Sequence, residues 1–303
     1  MKKRLITGFT YMLIIAGFYC LKIFLPNGYG DLCFDALIYA FALIGTFEML
    51  RAVKDKTTKA ERWMTFIFAI VTIPACALAE YFRILPFGSG IVAVGACGCV
   101  YAIALLTLLI TSPEETTLEN LGLSLFSALY PTLLLCVFTV ANHAPGITGL
   151  EKFGFDSRLM VLLTFVISPT ADSIAFVFGC GLKKYFPKKL APKLSPNKTV
   201  IGGIGGIVGG MIGATVVYFG YGALFGSLDQ MYIWLPVFLV IGALASVVTE
   251  MGDLVESSIK RKVGLKDMGK IMPGHGGILD RIDGTLFSAI TIYACFTLIR
   301  LIA

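Results

Sequence analysis

Charge is what this chain has least of. Asp, Glu, Lys and Arg make up 15% of its residues, against roughly 25% in soluble domains, and this excludes a sizeable solvated domain. Only two histidines are present, too few for a histidine-rich metal centre. The eight cysteines form no Cys-x-x-Cys pair and mostly fall inside apolar runs, so neither a zinc site nor a disulfide framework is indicated. Behind Met1-Lys2-Lys3-Arg4 no small-residue cleavage site follows, and the first apolar stretch is expected to be a retained helix, not a signal peptide. The ~10-residue alternation of barrel strands is missing as well.

Long apolar runs fill the chain instead: 57% of residues are hydrophobic and the mean hydropathy is +0.84. In hydrocarbon every backbone polar group must be paired within the protein, so such runs mean helices. The expected fold is an all-α polytopic membrane protein with about nine transmembrane helices, near 5–25, 32–50, 64–82, 88–111, 121–142, 159–181, 200–225, 231–250 and 284–303. With the N-terminus in the cytoplasm, all but five of the 25 Lys and Arg residues (Lys22, Arg83, Lys152, Arg158, Arg300) fall on the inner side, as the positive-inside rule requires. The net charge of +6 is then an orientation signal and not a sign of nucleic-acid binding. Residues 1–158 are expected to form an N-terminal helical part and 159–303 a catalytic part.

Most of the polar sequence outside the second part reads as structural. Glu48 with Arg51, and Glu80 with Arg83, read as boundary charges at headgroup level. Ser112-Pro113-x-Glu115 reads as a helix start. The glycines of 200–222 read as a close-packing surface. Asp172, behind Pro169 and inside a span, is expensive in lipid and is therefore a functional candidate. The loop 183–199 carries six lysines; Ser195-Pro196-Asn197-Lys198-Thr199 at its end suits phosphate contact.

The stretch 250–284 carries the chemistry. Asp253, Ser257 and Lys260 stand at i, i+4 and i+7 of a helix, and Asp280 and Asp283 at i and i+3. Pro273-Gly274-His275-Gly276-Gly277 between them cannot be regular helix. Carboxylates are the ligands magnesium prefers, with substrate phosphates completing its shell. Lys260, Arg261, Lys266 and Arg281 could balance phosphate charge, and the glycine turn around His275 could offer backbone N–H groups to phosphate oxygens. A solvated loop of mutually paired charges would share this spacing.

The run SSIKRKVGLKDMGKIMPGHGGILDRID resembles the signature of the phosphatidate cytidylyltransferase (CDP-diacylglycerol synthase) family in residue types, order and spacing. Ala171-Asp172-Ser173, Lys189-Leu190-Ala191-Pro192 and the Ser195–Thr199 run resemble its upstream motifs, so the similarity extends from Ser168 to Asp283. The resemblance implies transfer of CMP from CTP to phosphatidic acid, giving CDP-diacylglycerol and pyrophosphate in phospholipid biosynthesis. It also implies magnesium, with room for a second cation, and a site at the cytoplasmic face of a bacterial cell membrane. Asp253 and Asp280 would be metal ligands with Asp172 and Asp283 lining the same site. Asp253, Asp280, Lys260 and Asp283 would be the catalytic set, and Ser195, Lys198, Thr199, Ser257, Arg261, Lys266, His275 and Arg281 would bind substrate. Homodimerisation stays open. One departure stands out: where the family places Glu soon after Lys-Thr, this chain has Ile201. An ion-coupled transporter would explain nine spans and Asp172, but not acids and bases gathered in one patterned stretch. An enzyme consuming CDP-lipid would carry further Gly and Asp turns after Asp283-Gly284, where the chain reads Thr-Leu-Phe-Ser.

Overall fold

A computed structural model describes residues 2–85, 88–145, 156–225, 231–272, 274 and 276–302, leaving aside the side chains of 2–5. Among the described residues, nine helical segments are long and apolar enough to cross a membrane. They are α1 (Lys2–Phe24), α2 (Tyr29–Ala52), α3 (Lys59–Tyr81), α4 (Ser89–Thr111), the broken segment of α5 (Leu118–Ala128) and α6 (Leu134–Asn142), α7 (Ser157–Gly181), α8 (Val200–Phe225), α9 (Met231–Lys262) and α10 (Leu279–Ile302). The break between α5 and α6 is one π-turn, Leu129–Leu133, holding Pro131. Proline has no N–H to donate, and the widened turn absorbs the gap.

The two helices that bear the candidate site outrun their expected spans. α9 continues through Lys262, 32 residues or about 48 Å, so Asp253, Ser257 and Lys260 are on one helix with the apolar run before them. α10 starts at Leu279, placing Asp280 and Asp283 in its first turns. The expected helix start at Ser112 is corrected. Ser112 caps the end of α4, and its carbonyl accepts from Glu115 and Thr116 N–H at 3.2 and 3.0 Å. Thr117, in extended conformation, caps α5 by accepting from Asn120 N–H at 3.2 Å.

The chain forms two compact units, 1–143 with 263–281, and 144–262 with 282–303. In the first, α2 is lined by Phe34, Ile38 and Met49, all at most 2% exposed. Polar groups are buried at one end of this unit, beyond what hydropathy predicts. Lys22 pairs with Asp31 and donates to the Asn142 carbonyl at 2.9 Å, while Asp35 accepts from Asn142 Nδ2 at 2.9 Å and contacts His143. Burying these charges is tolerable because each meets an opposite charge or a hydrogen bond.

In the second unit α8 packs on α7 and α9 through its glycines. A Cβ built on Gly205 would come within 2.6 Å of Phe178 Cβ, and one on Gly210 would overlap the Gly242 carbonyl of α9. The lysine-rich loop is partly ordered: β1 (Lys189–Ala191) and β2 (Ser195–Thr199) pair antiparallel, Lys189 opposite Thr199 and Ala191 opposite Ser195. The hairpin ends directly at the start of α8.

Candidate active site

Three carboxylates meet in the second unit. Asp253 and Glu256, one turn apart on α9, each place an oxygen within 4.8 Å of the others and of an Asp283 oxygen on α10. Close helix contact makes this possible. A Cβ on Gly252 would sit 2.8 Å from the Asp283 carbonyl, and one on Gly284 would sit 2.6 Å from Thr249 Cγ2, so only glycine fits at either position. Glu256 is fully buried, and its carboxylate lies against that of Asp283. Two like charges at that separation need a proton or a cation between them.

Lysines complete the surroundings. Lys260, one turn after Glu256, donates to Glu256 Oε2 at 2.8 Å. Lys198 reaches from β2 to pair with Asp253. The all-oxygen donor set fits a hard divalent cation, and the two ammonium groups beside it fit a polyphosphate.

Next to Lys198 opens a cavity of about 390 Å³, lined among others by Asp172, Asn197, Lys198, Thr199, Gly203 and Glu250. Thr199 is buried, and its Oγ1 accepts from Gly202 N–H at 3.1 Å, capping α8. The N-terminus of α8 thereby faces the cavity, where its dipole and open N–H groups suit an anion. Glu250 is the acid that the sequence reading missed there. Its Oε1 is buried without a hydrogen-bond partner, and it lies against Gly203 and Gly206, where a side chain would overlap it. Ile201, the departure from the family pattern, instead lines a separate cavity with Tyr185, Phe186 and Ile204.

Asp280 belongs to the first unit. Its Oδ2 accepts from Met268 N–H at 2.9 Å and Gly277 N–H at 2.8 Å, so its carboxylate ties both arms of the glycine loop together. The loop is also closed by a Met272–Gly276 bridge, and Gly276 takes φ +89°, the left-handed region open to glycine. Behind it stands Glu48, 2% exposed, which accepts from Ile278 N–H at 3.2 Å and Leu279 N–H at 2.9 Å. Gly269 and Gly277 lie so close to this carboxylate that any Cβ would overlap it. Glu48 is therefore no boundary charge: it caps α10 and carries the loop that holds Asp280.

The remaining candidates are placed as follows. Ser195 opens β2 opposite Ala191, and Ser257 is half-buried on α9 beside Glu256. Arg261, Lys266 and Arg281 are exposed. His275 and Pro273 lie outside the described residues. Thus Asp253, Asp283, Lys198 and Lys260 are brought together, Asp172 and Thr199 share the adjoining cavity, and Glu256 and Glu250 are additions. Only Glu256 left a trace in the sequence, at i−4 from Lys260.

Fold and site together define a polytopic membrane protein with an acidic, lysine-flanked centre suited to a cation and phosphates. Residues 2–299 match the cytidylyltransferase family, and the chain belongs to that family. It is similar to the phosphatidate cytidylyltransferase of Bacillus subtilis (strain 168), 31% identical over 294 residues, 95% of this chain and 94% of that one. Proteins of the same name from Staphylococcus haemolyticus (strain JCSC1435) and Brucella abortus biovar 1 (strain 9-941) are each 38% identical over shorter stretches. These cover 152 residues (50% of this chain, 54% of the relative) and 146 residues (48% of each).

Proposed function

We propose that this protein transfers CMP from CTP to phosphatidic acid, releasing pyrophosphate and forming CDP-diacylglycerol. Family membership supports the reaction class, and the observation that carries the site is the Asp253–Glu256–Asp283 trio flanked by Lys198 and Lys260. A lipid phosphate oxygen attacks the α-phosphorus of CTP, the P–O bond to the β-phosphate breaks, and pyrophosphate leaves with the electron pair. A phosphate nucleophile is already ionised at neutral pH, so the residues have no proton to remove. Their work is positioning and charge compensation.

Asp253, Glu256 and Asp283 would hold magnesium, with Asp280 and Asp172 as further members of the acidic set and a second cation within its capacity. Such a metal, when bound, withdraws charge from the attacked phosphoryl and the leaving group. Lys198 and Lys260 then exchange carboxylate partners for phosphate oxygens. The Thr199-capped start of α8 receives phosphate in the adjoining cavity, and Ser195, Ser257, Arg261, Lys266, His275 and Arg281 complete substrate binding. On the positive-inside pattern the site faces the cytoplasm, and residues 159–303 carry most of its chemistry. Homodimerisation is compatible with this reading.

The test uses protein purified in micelles with phosphatidic acid, radiolabelled CTP and magnesium, following label into the lipid phase. Labelling that depends on magnesium and falls at least a hundredfold in Asp283→Asn is expected. Equal labelling in the variant would remove the trio from the reaction, and no labelling by the folded unsubstituted protein would reject the activity.

A further inference from the structure

Away from the residues assigned to the reaction, the end of α2 and the start of α3 in the first unit enclose a cleft of about 310 Å³. Its floor is apolar, with Phe47, Leu50, Trp63 and Phe66, and its rim is cationic, with Arg51, Lys54, Lys59 and Arg62. Trp63 is 66% exposed and Phe47 56%, so the floor opens toward the surface that faces lipid.

The rim is rigid, and none of its cations makes an ion pair among the described residues. Thr57 Oγ1 donates to the Val53 carbonyl at 3.0 Å, and Thr58 and Glu61 form a reciprocal capping box at the start of α3 (2.8 and 3.2 Å). Arg62 Nη1 donates to the Lys54 carbonyl at 2.7 Å and to the Thr57 carbonyl, which fixes its guanidinium across the turn. Of the acids nearest the rim, Glu61 is fully buried and engaged in the box, Glu48 is buried and accepts from Ile278 and Leu279 N–H, and Asp55 beside Lys54 is exposed and makes no ion pair. Among the described residues no carboxylate lies within ion-pair distance of any of the four rim cations. The positive-inside rule accounts for cations at this helix end. It does not account for their closing round an aromatic cavity without an ion-pair partner.

An anionic group joined to an apolar body satisfies both halves of the cleft. Two arginines can grip a phosphate through paired N–H donors, and lysines supply point charge. Basic pockets between membrane helices, with aromatic residues at headgroup depth, take lipid head groups in this way. We propose that the cleft is a binding site for the phosphate head of an anionic phospholipid of the surrounding bilayer, its acyl chains lying along Phe47 and Trp63. The aromatic floor argues against free phosphate. No residue of the proposed reaction lines the cleft, which argues against the lipid under conversion. The inference stands whether or not the proposed activity does.

The two tryptophans, Trp63 and Trp234, supply the test. A Trp234→Phe protein leaves Trp63 as the single reporter in the cleft. Its fluorescence is followed in micelles carrying increasing fractions of bromine-labelled phosphatidylcholine, phosphatidylglycerol or phosphatidic acid, with no CTP present. Half-maximal quenching by either anionic lipid is expected at roughly a tenfold lower fraction than by phosphatidylcholine, given the contribution of each cation near an anionic head group. Adding Arg51→Gln, Lys54→Gln and Lys59→Gln, all exposed positions, should abolish that preference while phosphatidylcholine quenching is unchanged. Equal quenching by all three lipids in the parent protein would overturn the site, independently of how any variant folds. Selective quenching by phosphatidic acid alone would overturn the bilayer source and assign the cleft to the reaction's own lipid.

Discussion

Glu250 and Glu256 show how much a single carboxylate depends on what surrounds it. On the sequence they are two more acids on a helix; in the structure one is buried in the metal-fitting trio and the other lines the cavity beside Lys198, with one oxygen buried and unpartnered against Gly206. Glu256→Gln keeps the volume but removes the charge that Lys260 meets. The expected outcome is a loss of turnover of at least tenfold, with the magnesium concentration for half-activity shifted upward, measured by lipid labelling across a magnesium series. For Glu250→Gln the expectation differs, because Glu250 lines the cavity and stands outside the trio. KM for CTP should change severalfold while the magnesium response stays put, and an unchanged KM would place Glu250 outside the nucleotide site. Ile201, by contrast, lines another cavity, so Ile201→Glu should restore nothing at the site.

At the scale of elements, the glycines decide. Gly210 and Gly242 bring α8 and α9 to backbone contact, and a Cβ on Gly210 would also come within 2.6 Å of Ser246 Cβ. Since the obstacle is backbone and not the tip of a flexible chain, Gly210→Ala should cost about 1–3 kcal/mol through overpacking, read as a lower melting temperature in micelles. The α2–loop–α10 junction is held differently, by one buried carboxylate accepting two N–H groups. Glu48→Ala would leave both donors buried and unpaired, at about 1–3 kcal/mol each. Activity should fall with it even though Glu48 touches no reacting group, because the loop it carries also supplies the N–H that holds Asp280. Glu48→Gln, able to accept one such bond, should recover part of the activity. Equal loss in both variants together with unchanged melting would contradict the positioning role.

For the whole molecule the topology is the open claim. If all nine candidate spans among the described residues cross, the two ends of the chain lie on opposite sides of the membrane, with the hairpin 189–199 proposed on the side of the N-terminus. In a cysteine-free background, single cysteines at Lys193 and Lys266 should react with a membrane-impermeant reagent only after the cells are opened. One placed after Arg300 should react in intact cells. Labelling of all three from outside would invert the topology and move the proposed site with it.

The sequence by itself determined the number and order of the spans, since hydropathy is local and hydrocarbon admits only helices at such length. It also singled out the residues proposed for phosphate chemistry, because Asp253, Lys260, Asp280 and Asp283 sit at fixed short spacings that a helix turns into faces. Helix ends were less legible. Hydropathy ends one span at 250 and begins the last at 284, yet α9 runs on to Lys262 and α10 starts at Leu279, because their acids find partners there. Only the tertiary structure decided what joins residues far apart in the chain: Glu48 to Leu279, Lys198 to Asp253, Glu250 to the cavity at the head of α8. A buried carboxylate and an exposed one are the same letter. What separates them is which backbone donors, lysines and close-packed glycines the fold brings to meet them.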